Sequence, residues 1–134
     1  MPAEFHETLD IRSSADVVTV RQSARAMAER VGFSLVDQTK LVTAASELAR
    51  NTLIYGGGGT VLMELVVNGV RRGVRLTFED QGPGIPDVTL ALKDGYTSGQ
   101  GLGLGLGGAR RLVNDFTIDS APGSGTRVMI ARWK

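Results

Sequence analysis

Glu47 and Asn51 stand four residues apart in a stretch with helical spacing, so both side chains leave the same helix face. A carboxylate beside an amide suits a hard cation and an attacking hydroxyl: the amide oxygen can ligate Mg²⁺ and the carboxylate can accept a proton. A solvated helix face would hold the same pair. Asp80-Gln81-Gly82-Pro83-Gly84-Ile85 follows a strand-like run. Its Asp can accept a hydrogen bond from an exocyclic amine, and its glycines let backbone pass close to a flat ring. Asp, Pro and Gly are also the ordinary residues of a turn. A third stretch, Gly99 to Gly108, alternates Gly with Leu as it enters a helix-compatible segment. Free N–H groups at a helix start, with the positive end of its dipole, suit a phosphate. As plain helix each of these glycines would cost about 1 kcal/mol against Ala, which argues against a purely structural role. Residues 103–108 also spell G-x-G-x-x-G. That dinucleotide pattern requires a strand directly before it and a βαβ unit around it, whereas 93–100 is a polar loop.

The elements that must position these residues are legible in the periodicity. Glu7 to Arg12 alternates polar and apolar as a half-buried strand. Ser13 or Ser14 caps a helix in which Val17, Val20, Ala24, Met27, Ala28 and Val31 share a face, and Gly32 ends it. Asp37 is the expected N-cap of a second helix reaching about Tyr55, with Leu41, Ala44, Ala45, Leu48 and Thr52 inward and Gly56 to Gly59 stopping it. Val61–Val67 and Val74–Glu79 read as strands joined through Asn68-Gly69, a hairpin signal. A short helix is expected at 87–93, a loop at 94–101, and a helix at 102–113. Phe116–Asp119 and Thr126–Trp133 close the chain as strands around a Pro122-Gly123-Ser124-Gly125 turn. The order β-α-α-β-β-(α)-α-β-β predicts an α/β two-layer sandwich: a mixed, mostly antiparallel sheet with helices on one face. Residues 1–134 form one domain, with no linker or repeat.

Composition excludes several other classes. At 134 residues the chain suits one domain. Its net charge of +1, without a basic block, gives no support for nucleic acid or an anionic membrane as partner. The absence of cysteine removes disulfides, thiolate zinc sites and cysteine nucleophiles, and agrees with a reducing cytosol. Residues 1–7 carry acids and no apolar run, so no secretory leader is expected, and no stretch is long enough to span a membrane. A cytoplasmic location is expected. Glycine, 18 of 134 residues, is about twice its usual share of roughly 7% and gathers at the motifs.

Taken together and in order, these motifs resemble the GHKL ATPases, the family named for gyrase, Hsp90-type chaperones, histidine kinases and MutL. Glu47-x-x-x-Asn51 resembles its N box, Asp80-x-Gly82-x-Gly84 its first glycine box, Gly101-Leu102-Gly103-Leu104-Gly105 its second, and Gly125-Thr126 its closing element. The resemblance covers about residues 40 to 130. Length and the wording Ser46-Glu47-Leu48-Ala49-Arg50-Asn51-Thr52 are most similar to small anti-sigma-factor-type serine kinases. Asp94 to Ser98, followed by the Gly-Leu repeat, looks most like the RsbT-type switch kinases of the bacterial stressosome. The short span between the glycine boxes, where 93–100 must supply the lid, speaks against gyrase, Hsp90 and MutL relatives.

The resemblance implies ATP and Mg²⁺ as ligands, with Asn51 holding Mg²⁺ against the triphosphate. Glu47 would be the general base and Arg50 would neutralise phosphate charge. Asp80 would bind the adenine amine, with Thr126 beside it through a water. Gly82 and Gly84 would shape the adenine pocket, and Gly101, Gly103 and Gly105 would bring N–H groups to the phosphates. It implies a serine/threonine kinase acting on STAS-domain proteins and activating a protein phosphatase by binding it. The alternatives are an anti-sigma factor that sequesters a sigma factor and a detached histidine-kinase domain. The oligomeric state stays open.

Overall fold

The computed structural model describes residues 3–85, 87, 88, 92 and 106–134. Five strands and three helices follow in the order β1 (Ala3–Ile11), α1 (Ser14–Val31), α2 (Leu35–Ile54), β2 (Gly59–Asn68), β3 (Arg71–Asp80), α3 (Leu106–Arg111), β4 (Asp115–Ser120) and β5 (Thr126–Trp133). The expected two-layer sandwich is present. The strands form one sheet in the order β1-β2-β3-β5-β4, and every described ladder is antiparallel where a mixed, mostly antiparallel sheet was expected. The reason lies in the last hairpin. β5 folds back from β4 and inserts beside β3, so β3 and β4 run the same way without touching.

Local chemistry sets the helix ends. The Ser13 hydroxyl accepts the Asp16 N–H at 3.3 Å, and Asp16 Oδ2 accepts the Arg12 N–H at 2.8 Å. These reciprocal bonds satisfy donors that the helix itself leaves open. Gly32 ends α1 at φ +93°, a left-handed conformation that favours glycine. The six apolar positions read from the sequence of α1 are its buried face. They pack with Leu41, Ala44, Ala45 and Leu48 of α2 against Val61, Met63, Leu65, Leu76, Phe78 and Ile130 of the sheet.

Asp37 is not the cap of α2. Ser34 is: its hydroxyl accepts the Asp37 N–H at 3.2 Å, and the helix starts at Leu35. Both residue types cap well, and Asp37, in the first turn, pairs instead with a distant partner. Arg132 of β5 donates through Nη2 to Asp37 Oδ1 at 2.7 Å and through Nη1 to the Leu112 carbonyl at 2.8 Å. One guanidinium thereby ties the start of α2 to β5 and the end of α3. Of the helix expected at 87–93, the described residues hold one helical bond, Leu92 N–H to Val88 O at 3.1 Å. The loop at 94–101 and the 102–105 portion of the next helix lie outside the described residues, and its described portion is α3.

The Arg132 hydrogen bond holds the Asp37 carboxyl below its ordinary 3.8. A depressed carboxyl stabilises the fold above the unfolded value and loses that contribution as pH falls through the folded one. Unfolding midpoints should therefore fall as pH drops below 3.8. Asp37→Asn should flatten that part of the profile in denaturant titrations.

Candidate functional site

β3 is the central strand, and its last residue is the site's charged group. Asp80 pairs with Gly59 of β2 on one side and with Thr126 of β5 on the other. Its residue is only 9% exposed. Oδ1 accepts the Gly82 N–H at 2.9 Å. Burial pushes the carboxyl above its ordinary 3.8, and the N–H groups of Gly82 and Thr126 act in the opposite direction.

Beside Asp80 lies a narrow cleft that opens to solvent. Its apolar walls are Leu48, Phe78, Ile85, Leu106 and Val128, and its polar groups are Asn51, Thr52, Tyr55, Asp80 and Thr126. An apolar cleft with a few convergent polar groups is the usual form of a small-molecule site. The fold thus brings Asn51, Asp80 and Thr126, far apart in sequence, to one chamber.

α2 presents Leu48, Asn51, Thr52 and Tyr55 to the chamber, and of these Leu48 and Thr52 are also buried with the core. Glu47 lies one turn before Asn51, outside the cavity lining, with its side chain 32% exposed and paired with Arg50 at 3.4 Å. The Arg50 side chain is more than half exposed and likewise does not line the cavity. Neither lines the cavity, and the two pair with each other on the more exposed side of α2.

The two glycines of the Asp80 loop act differently. Gly82 packs on Gly56, where an added Cβ would lie 2.7 Å from the Gly56 Cα. Gly84, at φ +78°, fits under the β4–β5 turn, and its carbonyl accepts the Tyr55 hydroxyl. Gly101, Gly103 and Gly105 lie outside the described residues. Among the described residues there is no group of three His, Cys, Asp or Glu able to hold a metal. Asn51 fits a cation that brings most of its ligands with it, as Mg²⁺ does on a triphosphate.

Three residues were missed from the sequence. Tyr55 ends α2, lines the cavity and ties it to the Gly84 loop. Its position four residues after Asn51, one turn along the same face, was a usable signal. Gly56 looked like a helix stop, yet a Cβ there would sit 2.6 Å from Asp80 Oδ2. Ser120 bonds both the Ile85 N–H and Thr126, and nothing local marks it.

The sequence matches the family model described as "Histidine kinase-, DNA gyrase B-, and HSP90-like ATPase" over residues 36–134. It is 42% identical over 123 residues to the serine/threonine-protein kinase RsbT of Bacillus subtilis (strain 168), covering 92% of each chain. It is 28% identical over 119 residues to an anti-sigma F factor of Bacillus licheniformis, covering 84% of this chain and 80% of that one. The fold is similar to the crystal structure of RsbU and RsbW domains from Mycobacterium tuberculosis. There the TM-score is 0.65 at 23% identity, across all of this chain and 33% of the longer one.

A raised carboxyl pKa means that the native state holds its proton more tightly than the unfolded chain does. Stability falls as pH rises from 3.8 toward the raised value. A carboxyl-carbon NMR titration should find Asp80 titrating above 3.8. Gly56→Ala, which crowds Oδ2, should displace that titration, and an unchanged curve would disprove the contact.

Proposed function

Because the chain belongs to the histidine kinase-, DNA gyrase B- and HSP90-like ATPase family, we propose that its cavity binds ATP and that it is a protein serine/threonine kinase of a bacterial partner-switching stress-response module. One observation carries this: a buried carboxylate, Asp80, lines an apolar cleft that Asn51 and Thr126 also line. The similarity to the B. subtilis serine/threonine kinase over most of both chains supports the reaction class.

The roles in this reading are those that the motifs imply. Asp80 accepts the amine of adenine, and Leu48, Phe78, Ile85 and Val128 supply the apolar surface for its flat ring. Tyr55 and Thr126 complete the base end. Asn51, which lines the same cavity, holds Mg²⁺, which neutralises triphosphate charge when bound. Gly101, Gly103 and Gly105 supply N–H groups to the phosphates.

The acceptor hydroxyl on a partner protein approaches from the rim. Its oxygen bonds to the γ-phosphorus, the bond to the β-bridging oxygen breaks, and ADP leaves. Glu47 takes the hydroxyl proton, and Arg50 orients Glu47 and lowers negative charge nearby. Positioning and electrostatics provide most of the rate in such transfers.

The partners that fit this class are STAS-domain proteins carrying the acceptor Ser or Thr, and a phosphatase activated by binding. A cytoplasmic setting agrees with a chain that has no cysteine. Among the described residues no helix is long and apolar enough to cross a membrane. The similarity to anti-sigma F factors favours one second reading, a protein that also sequesters a sigma factor. A stable complex with a sigma factor in size-exclusion chromatography would establish it.

Calorimetric titration with a nonhydrolysable ATP analogue and Mg²⁺ tests the reading. Asp80→Asn should lose about 1.5–3 kcal/mol of affinity, the worth of a charged hydrogen bond. Undiminished binding would remove Asp80 from the site. Because the carboxylate is the acceptor, wild-type affinity should fall as acidification protonates Asp80, and it should begin to do so above the ordinary carboxylate value of 3.8. Glu47→Ala should bind the analogue normally and lose about 10²–10⁴-fold in phosphotransfer, the usual contribution of a positioned base. Normal turnover would refute that role.

A further inference from the structure

Ser120, the last residue of β4, meets three groups. Its Oγ accepts the Ile85 N–H at 2.8 Å, lies 3.1 Å from the Gly125 carbonyl oxygen, and lies 2.8 Å from Thr126 Oγ1. A serine hydroxyl has one proton and two lone pairs. The Ile85 amide can only donate, and the Gly125 carbonyl can only accept. All three contacts are hydrogen bonds in one arrangement alone: Ser120 donates to Gly125, and Thr126 donates to Ser120.

We infer that Ser120 is a positioning residue that sets base selectivity by holding the Thr126 hydroxyl with its proton turned out of the cavity. The inference rests on the nucleotide reading above. Thr126 then shows the ligand only lone pairs, beside the Asp80 carboxylate, which is also an acceptor. At this pair of side chains the wall accepts and does not donate.

That polarity distinguishes purines by their six-position. An amino group gives a proton to Asp80, and the neighbouring N1 acceptor is met by a water that donates one proton to N1 and the other to Thr126. An oxo group in the same place turns a lone pair toward a wall of lone pairs. Freeing the Thr126 hydroxyl lets it rotate and donate to that oxygen. Ser120 therefore acts through Thr126 and needs no contact with the base.

The test compares calorimetric affinities of the purified chain for nonhydrolysable ATP and ITP analogues with Mg²⁺. Wild type should prefer the ATP analogue. Ser120→Ala should lower the ATP-to-ITP ratio by about tenfold, one hydrogen bond's worth, and Ser120→Thr should restore it. Damage to the loop or fold would weaken both analogues together and leave the ratio unchanged, and that result overturns the inference. In a Thr126→Val background, Ser120→Ala should not change the ratio further, because coupled residues do not act additively. If Thr126→Val alone keeps the wild-type ratio, the inference also falls. A wild type that binds neither analogue overturns the nucleotide reading itself, and this inference with it.

Discussion

The structure is organised around a carboxylate that the fold keeps from water. Asp80 ends the central strand, between Gly59 and Thr126, with residues of the core cluster directly behind it. An ionised group in such a place costs free energy unless hydrogen bonds satisfy it. The Gly82 N–H satisfies part of one oxygen, and the raised pKa records what remains unmet. A ligand that brings a donor to this spot relieves that cost, whereas a ligand that brings an acceptor adds to it. Selectivity in the cavity is thus a property of the sheet's centre.

The surrounding parts keep this carboxylate in place and leave it open on one side. Gly56 has no side chain where a Cβ would strike Asp80 Oδ2, and Gly82 packs against Gly56 in turn. Tyr55 ties the end of α2 to the Gly84 carbonyl. Ser120 ties the Ile85 amide to β5. At the other end of α2, Arg132 fixes the first turn to β5 and to the residues following α3. α2 is thereby pinned at both ends to the strand that carries Thr126, so Asn51 and Thr126 keep a common frame. Both sit on regular elements, which hold functional groups more accurately than loops do.

The order and type of the elements were legible in the chain because they rest on local physics. The face of α1 could be read at 3.6-residue spacing, and Gly32 marked its end, since both depend on residues within a few positions of one another. Asn51, Asp80 and Thr126 were legible for a different reason. Their residue types stand in spaced motifs beside glycines, and the fold brings all three to one cavity.

What local sequence could not decide was everything that depends on a distant partner. Asp37 was the expected cap of α2, yet Ser34 takes that place and Arg132, 95 residues from Asp37, pairs with the carboxylate. An all-antiparallel sheet follows from β5 lying between β3 and β4, and no strand's own pattern encodes its neighbour. Gly56 and Ser120 look like an ordinary helix stop and an ordinary strand end. They matter only because packing sets one against Asp80 and the other against Ile85 and Thr126. The sequence by itself determined which groups are available and which segments carry them, since composition and periodicity act over a few residues. Only the tertiary structure determined which groups meet, how deeply the carboxylate is buried, and that Ser120 lies against Thr126, because solvent exclusion and hydrogen-bond geometry exist only between segments that have come together.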